Sequence, residues 1–94
     1  MIRFAKLKIY HENKKGQPHC LTGPAKVWFD GDREWYVDGK SHRTDGPAVE
    51  YFTKNSFMFY LDDVHYSVKE WAEKLVVLGY KTKEEALFLY LKYN

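Results

Sequence analysis

Four histidines and one cysteine carry most of the chemical potential of this 94-residue chain. His19 and Cys20 are adjacent, and His42 follows His19 at a distance of 23 residues. A His/Cys set suits zinc, which needs three or four convergent ligands. The chain has no Cys-x-x-Cys or His-x-x-x-His spacing, and His11 and His65 fall in other turns. The reading is therefore no metal and no cofactor, with each imidazole hydrogen-bonded to the backbone of its own loop. Cys20 beside His19 or His42 would be a thiolate–imidazole pair, the chemistry of a small hydrolase. Acidic pairs stand at Asp62-Asp63, at Glu84-Glu85 and in the Asp30/Asp32/Glu34 turn. The first and third read as turn chemistry and the second as a helix N-terminus favoured by its dipole. No nucleophile, base and orienting group form a nameable constellation, so the chain reads as a non-enzyme.

The elements that position these residues are announced by an internal match at an offset of 23. Gly16-Gln17-Pro18-His19-Cys20-Leu21-Thr22-Gly23-Pro24-Ala25 aligns with Gly39-Lys40-Ser41-His42-Arg43-Thr44-Asp45-Gly46-Pro47-Ala48, with five of ten residues identical. Trp28-Phe29 aligns with Tyr51-Phe52. After one inserted residue, Glu34-Trp35-Tyr36-Val37-Asp38 aligns with Met58-Phe59-Tyr60-Leu61-Asp62. Similarity at a fixed period of 20–50 residues signals stacked supersecondary units. Each unit reads as a β-hairpin. Asp30-Gly31 suggests a two-residue type I′ turn, which would pair Trp28 with Arg33 and Lys26 with Trp35. An N-terminal strand over 2–10 is expected to pair with the first hairpin. Past Tyr66 the period becomes helical. Ser67-x-x-Glu70 and Thr82-x-x-Glu85 are capping boxes, Tyr66 and Trp71 form a hydrophobic staple, and Gly79 offers a left-handed stop. Val68, Trp71, Ala72, Leu75, Val76 and Leu78 mark one face of the first helix; Ala86, Leu87, Tyr90 and Leu91 run along the second.

The expected fold is α+β: a repeat-built antiparallel β-meander of about five strands followed by a C-terminal helical hairpin. It forms a single domain, with a strand and turn over 1–15, β-hairpin repeats over 16–66 and two helices over 67–94. A two-residue turn would place Lys26, Trp28, Arg33, Trp35, Val49, Tyr51, Phe59 and Leu61 on one sheet face. Val27, Phe29, Glu34, Tyr36, Glu50, Phe52, Met58 and Tyr60 would lie on the other. Both faces are rich in apolar residues, and two helices cover only one. The Trp28/Trp35 side is expected to be the core, and the Val27/Phe29 side an exposed interface.

Charge and composition narrow the partners. Residues 1–28 carry a net +5, residues 29–63 a net −4 and the rest +1. That is a weak footprint for nucleic acid, which favours a strongly basic face. Nucleic-acid or nucleotide binding remains the alternative, with Trp28, Tyr51 and Trp35 as stacking platforms beside Lys26 and Arg33. The 3 Trp, 8 Tyr and 6 Phe exceed what so short a chain can hide. One cysteine, no bilayer-length apolar run and no signal-like apolar core near Met1 point to the cytoplasm and away from membranes.

His42-Arg43-Thr44-Asp45-Gly46-Pro47-Ala48 and Glu34-Trp35-Tyr36-Val37-Asp38-Gly39-Lys40 resemble the MORN-like β-hairpin repeats of small bacteriophage and bacterial proteins, over about residues 16–66. The resemblance implies hairpins that act as scaffold and interaction surface, in a phage accessory protein of the host cytoplasm. Cys20-Leu21-Thr22 departs from its Arg-x-Asp, so Cys20 reads as drift rather than a nucleophile. The expected function is a protein-binding module that engages a host or phage protein, or itself as a homodimer, and by extension inhibits a host protein. Phe29, Tyr36, Phe52 and Tyr60 would be its anchors, with Val27 and Met58 between them and Glu34 and Glu50 orienting the partner.

Overall fold

The structure, a computed structural model, describes residues 6–94. Its strands are β1 (Leu7–Tyr10), β2 (Lys26–Trp28), β3 (Arg33–Glu34), β4 (Tyr36–Val37), β5 (Lys40–Ser41), β6 (Val49–Tyr51), β7 (Ser56–Leu61) and β8 (Val64–Tyr66), followed by helices α1 (Val68–Val77) and α2 (Lys83–Tyr93). The fold is α+β, with antiparallel strands first and helices last. Among the described residues the strands form a six-stranded sheet in the order β1-β2-β3-β6-β7-β8 and a two-stranded ribbon, β4-β5. That is more strands than the five expected: the first unit's returning strand breaks after Glu34 and the chain turns off into the β4-β5 ribbon, whereas in the second unit β7 runs unbroken from Ser56 to Leu61 and pairs onward with β8. The N-terminal strand pairs with β2 as expected, though its Ile2–Ala5 portion lies outside the described residues.

Turn chemistry decides the register, and the first turn differs from expectation. Lys26 pairs with Glu34 and Val27 with Arg33. Trp28 N–H donates to the Asp32 carbonyl at 2.9 Å and Gly31 N–H to the Trp28 carbonyl at 3.0 Å, so Phe29-Asp30-Gly31 is a three-residue loop with Gly31 at φ +96°. This is the type I turn followed by a left-handed glycine that three-residue hairpins favour. The type I′ turn occurs instead at Asp38-Gly39 (φ +48° and +80°) and at Asp62-Asp63 (φ +48° and +68°), with both central residues in the left-handed region. In the second unit Val49 pairs with Met58, Glu50 with Phe57 and Tyr51 with Ser56. Both long hairpins are thus displaced by one residue from the expected pairing. A one-residue slip moves the whole returning strand to the opposite face.

The two aligned segments make corresponding bonds in the same order. Cys20 N–H donates to Tyr36 O at 3.0 Å, as Arg43 N–H does to Tyr60 O at 3.2 Å. Ala25 N–H donates to Glu34 O and Ala48 N–H to Met58 O, both at 2.9 Å. Gly39 N–H donates to Pro18 O and Asp63 N–H to Ser41 O, again at 2.9 Å.

Both helices begin with the expected capping boxes, Ser67/Glu70 and Thr82/Glu85. Tyr80 N–H bonds Leu75 O at 2.8 Å and Gly79 N–H bonds Val76 O at 3.1 Å, a Schellman closure with Gly79 at φ +79°. The core joins Phe59 and Leu61 of β7 to Trp71, Ala72, Leu75, Ala86 and Leu89. In α2 the inward stripe is Ala86, Leu89, Tyr90 and Tyr93, whereas Leu87 and Leu91 face solvent; Leu78, the residue that caps the C-terminus of α1, is exposed as well. Among the described residues no helix is long and apolar enough to cross a membrane.

Candidate functional site: the open half of the sheet

Residues that pair directly point to the same face. Arg33 pairs with Glu50 and Glu50 with Phe57, placing them with Phe59 and Leu61 on the side that the helices cover. Val27, paired with Arg33, lies on that side too. The opposite side carries Lys26, Glu34, Val49 and Met58. Glu34 accepts there from Trp28 Nε1 and, at 2.8 Å, from the Tyr36 hydroxyl, and Tyr60 packs on His65 with ring centroids 5.1 Å apart.

The eight residues expected on one interface are therefore divided. Val27 and Glu50 belong to the helix side, with Phe29 and Phe52 in the loops at its rim. Glu34, Tyr36, Met58 and Tyr60 belong to the far side, where all four are half-buried. Burial and the Glu34 carboxylate push the Tyr36 hydroxyl well above the ordinary tyrosine range, which marks it as a satisfied hydrogen-bond donor. The expected core side is corrected in the same way. Trp35, Phe59 and Leu61 face the helices, while Trp28 and Val49 do not. The proposed stacking platform is split, because Trp35 lies under the Arg43 guanidinium at 3.8 Å on the helix side and Trp28 lies across the sheet.

The helix layer is off-centre. α1 packs on β7 and β8, and Tyr93 of α2 meets Phe57 and Phe59 at centroid distances of 6.1 and 5.8 Å. Arg43 and Glu50 lie just inside that cover, joined at 3.3 Å, and Glu50 also meets Arg33 Nε at 3.6 Å. Beyond Arg33 the floor opens. Lys8, Val27, Phe29, Arg33 and Phe52 line a shallow cleft of about 370 Å³ together with Pro24 and Gly31. Phe29 is 67% exposed and Phe52 71%; among the described phenylalanines Phe52 is the most exposed, and only Phe88 at 68% lies between the two. Phe52 is nonetheless held in place. Its N–H donates to the buried Asp32 carboxylate at 2.8 Å, and its ring lies against Gly31, where an added Cβ would come within 3.1 Å. Asp32, expected as turn chemistry of its own hairpin, is buried with its carboxylate on the next one, a partner that no local spacing indicated.

The histidines and the cysteine are placed apart from this cleft. His19 Nδ1 accepts from Asp38 N–H at 3.0 Å, and His42 Nδ1 accepts from Asp62 N–H at 3.1 Å. Each ring thus caps the type I′ turn of its unit, some 20 residues on, rather than its own loop. Cys20 Sγ lies 3.6 Å from Thr22 Oγ1, and hydrogen bonds from Thr22, the backbone one first, lower its pKa. Among the described residues no three His, Cys, Asp or Glu side chains are grouped to hold a metal ion. A second apolar surface, about 300 Å³ in volume, lies between the helices and is lined by Ala72, Val76, Ala86, Leu87 and Tyr90.

These features define a small α+β protein with a half-covered sheet. No protein-family model matches the chain, and comparisons with curated proteins and with solved structures return no match.

Proposed function

We propose that this chain is a non-enzymatic protein-binding module whose contact surface is the open half of the sheet around Val27, Phe29 and Phe52. The observation that carries the reading is the pair of phenylalanines at aligned positions, both exposed yet both set on ordered turns. Large aromatic rings at the rim of an apolar floor, fixed before any partner arrives, lose little entropy on binding and are common interface anchors. Catalysis has less support, since the Nδ1 atoms of His19 and His42 are occupied by turn N–H groups and Cys20 is bonded to Thr22. The MORN-like pattern of residues 16–66 supports the setting, a phage accessory protein that engages a host protein and so inhibits it.

The test is capture from host extract by the immobilised protein and by a Phe29→Ser/Phe52→Ser variant. The wild type is expected to retain a protein that the variant loses, with the variant's Tm lowered by less than about 4 °C. Equal retention by both overturns the reading. So does a variant that unfolds, because the rings would then be core.

A further inference from the structure

We infer that the partner element seated on the open half of the sheet is an amphipathic α-helix with acidic flanks, lying beside α2 as a third helix of the same layer. The inference rests on the protein-binding reading above and names the chemistry of the partner.

Three observations carry it. First, the space has the width of a helix. Strands β1, β2 and β3 span two strand spacings, about 10 Å, which is one helix diameter, and α1 and α2 already cover the β7–β8 end. Sheet faces of this kind are closed by helices laid side by side. Second, the outer strand discourages strand addition. β1 has a register break between Leu7 and Ile9 and carries Lys8. Bulges and lysines on an edge oppose pairing with another strand. Third, the outward-facing charge at the cleft is positive. Lys8 and Arg33 are exposed on its lining. The neighbouring acids are turned to internal contacts: Asp32 to Phe52 N–H, Asp30 to Asp32 N–H, and Glu50 to Arg33 and Arg43. In sequence, residues 1–28 carry a net charge of +5. A two-fold contact with a second copy would set Lys8 and Arg33 against their own equivalents, which disfavours self-association.

The probe is a helical peptide of about 15 residues with leucines at i, i+3, i+4 and i+7 and glutamates on both flanks. A control peptide carries lysine at every glutamate, and a dT15 oligonucleotide represents nucleic acid. Amide resonances of the isotope-labelled protein report the site. The acidic peptide is expected to shift Lys8, Val27, Phe29, Arg33 and Phe52 in a salt-sensitive titration. Binding should weaken about tenfold in Lys8→Glu, and the lysine peptide should bind at least about tenfold more weakly. Lys8→Glu is the primary variant because Lys8 is exposed; Arg33→Glu would also break the contact with Glu50. The inference is overturned if the lysine peptide binds equally, if the acidic peptide binds elsewhere or nowhere, or if dT15 binds more tightly at these residues. Light scattering that shows a dimer abolished by Phe29→Ser/Phe52→Ser also overturns it, with a second copy as the occupant. None of these outcomes depends on the capture experiment, in which the protein-binding reading stands or falls separately.

Discussion

The loops 19–24 and 42–47 align residue for residue and make corresponding backbone bonds, yet they have different surroundings. The second is clamped by the helical hairpin. Trp71 Nε1 donates to Arg43 O at 3.1 Å, Tyr80 meets the His42 ring edge-on at 5.6 Å, and Lys81 pairs with Asp45 at 2.7 Å. Gly46 packs so closely that an added Cβ would lie 2.7 Å from the Tyr93 hydroxyl. The first loop has Leu21 77% exposed and open space around Gly23. Three differences produce this. Cys20 stands where Arg43 spans Trp35 and Glu50, Thr22 has no charge to offer a lysine, and the helices follow the second unit directly. The same hairpin architecture is thus packed under the helices in one unit and left open to solvent in the other.

Removing the clamp should have the largest effect. Trp71 is fully buried and is both packed on Phe59 and hydrogen-bonded to Arg43 O. Trp71→Ala is expected to cost about 3–5 kcal/mol in denaturant unfolding. A cost below about 1 kcal/mol would mean that the second loop does not depend on the helices. The matched glycines test the same contrast more finely. Gly46→Ala should destabilise by about 1–2 kcal/mol, because Tyr93 and the Arg43 guanidinium must move aside. Gly23→Ala, with nothing within 4 Å and no left-handed φ, should be neutral or stabilise by up to about 1 kcal/mol. Equal effects at the two positions would erase the distinction.

The smallest expected effect is on acid stability. Bonds from Ser67 hold the Glu70 carboxyl below its usual range, and bonds from Thr82 do the same for Glu85. A carboxylate whose folded pKa is depressed contributes stability above its unfolded value, near 4.3, and loses it as pH falls through the folded value. Helical ellipticity should therefore begin to decline below about pH 4. Glu70→Gln/Glu85→Gln should flatten that acid limb, and an unchanged limb would show that the caps do not couple to folding.

Much of this was readable from local chemistry. Each capping box needs only a hydroxyl and a carboxyl three residues apart, and the left-handed stop at Gly79 needs only the missing Cβ. The alignment of 16–25 with 39–48 marked where the loops would match. The membership of the candidate interface was not readable. Asp30-Gly31 is compatible with a two-residue or a three-residue loop, and the choice is tied to contacts outside that hairpin, among them the Asp32 carboxylate on Phe52 N–H in the next one. Because strand side chains alternate with period two, that one residue sent Glu34 and Tyr36 to the far side, and the matching displacement in the second hairpin sent Met58 and Tyr60 there.

Local propensities in the chain determined the kinds of element, their caps and their order, since these depend on groups only a few residues apart. Which sheet face the helices took, and how far their cover reached, was decided by packing between residues far apart in the chain. Trp71 could find the Arg43 carbonyl, and Tyr93 the space above Gly46, only once the sheet had set its register.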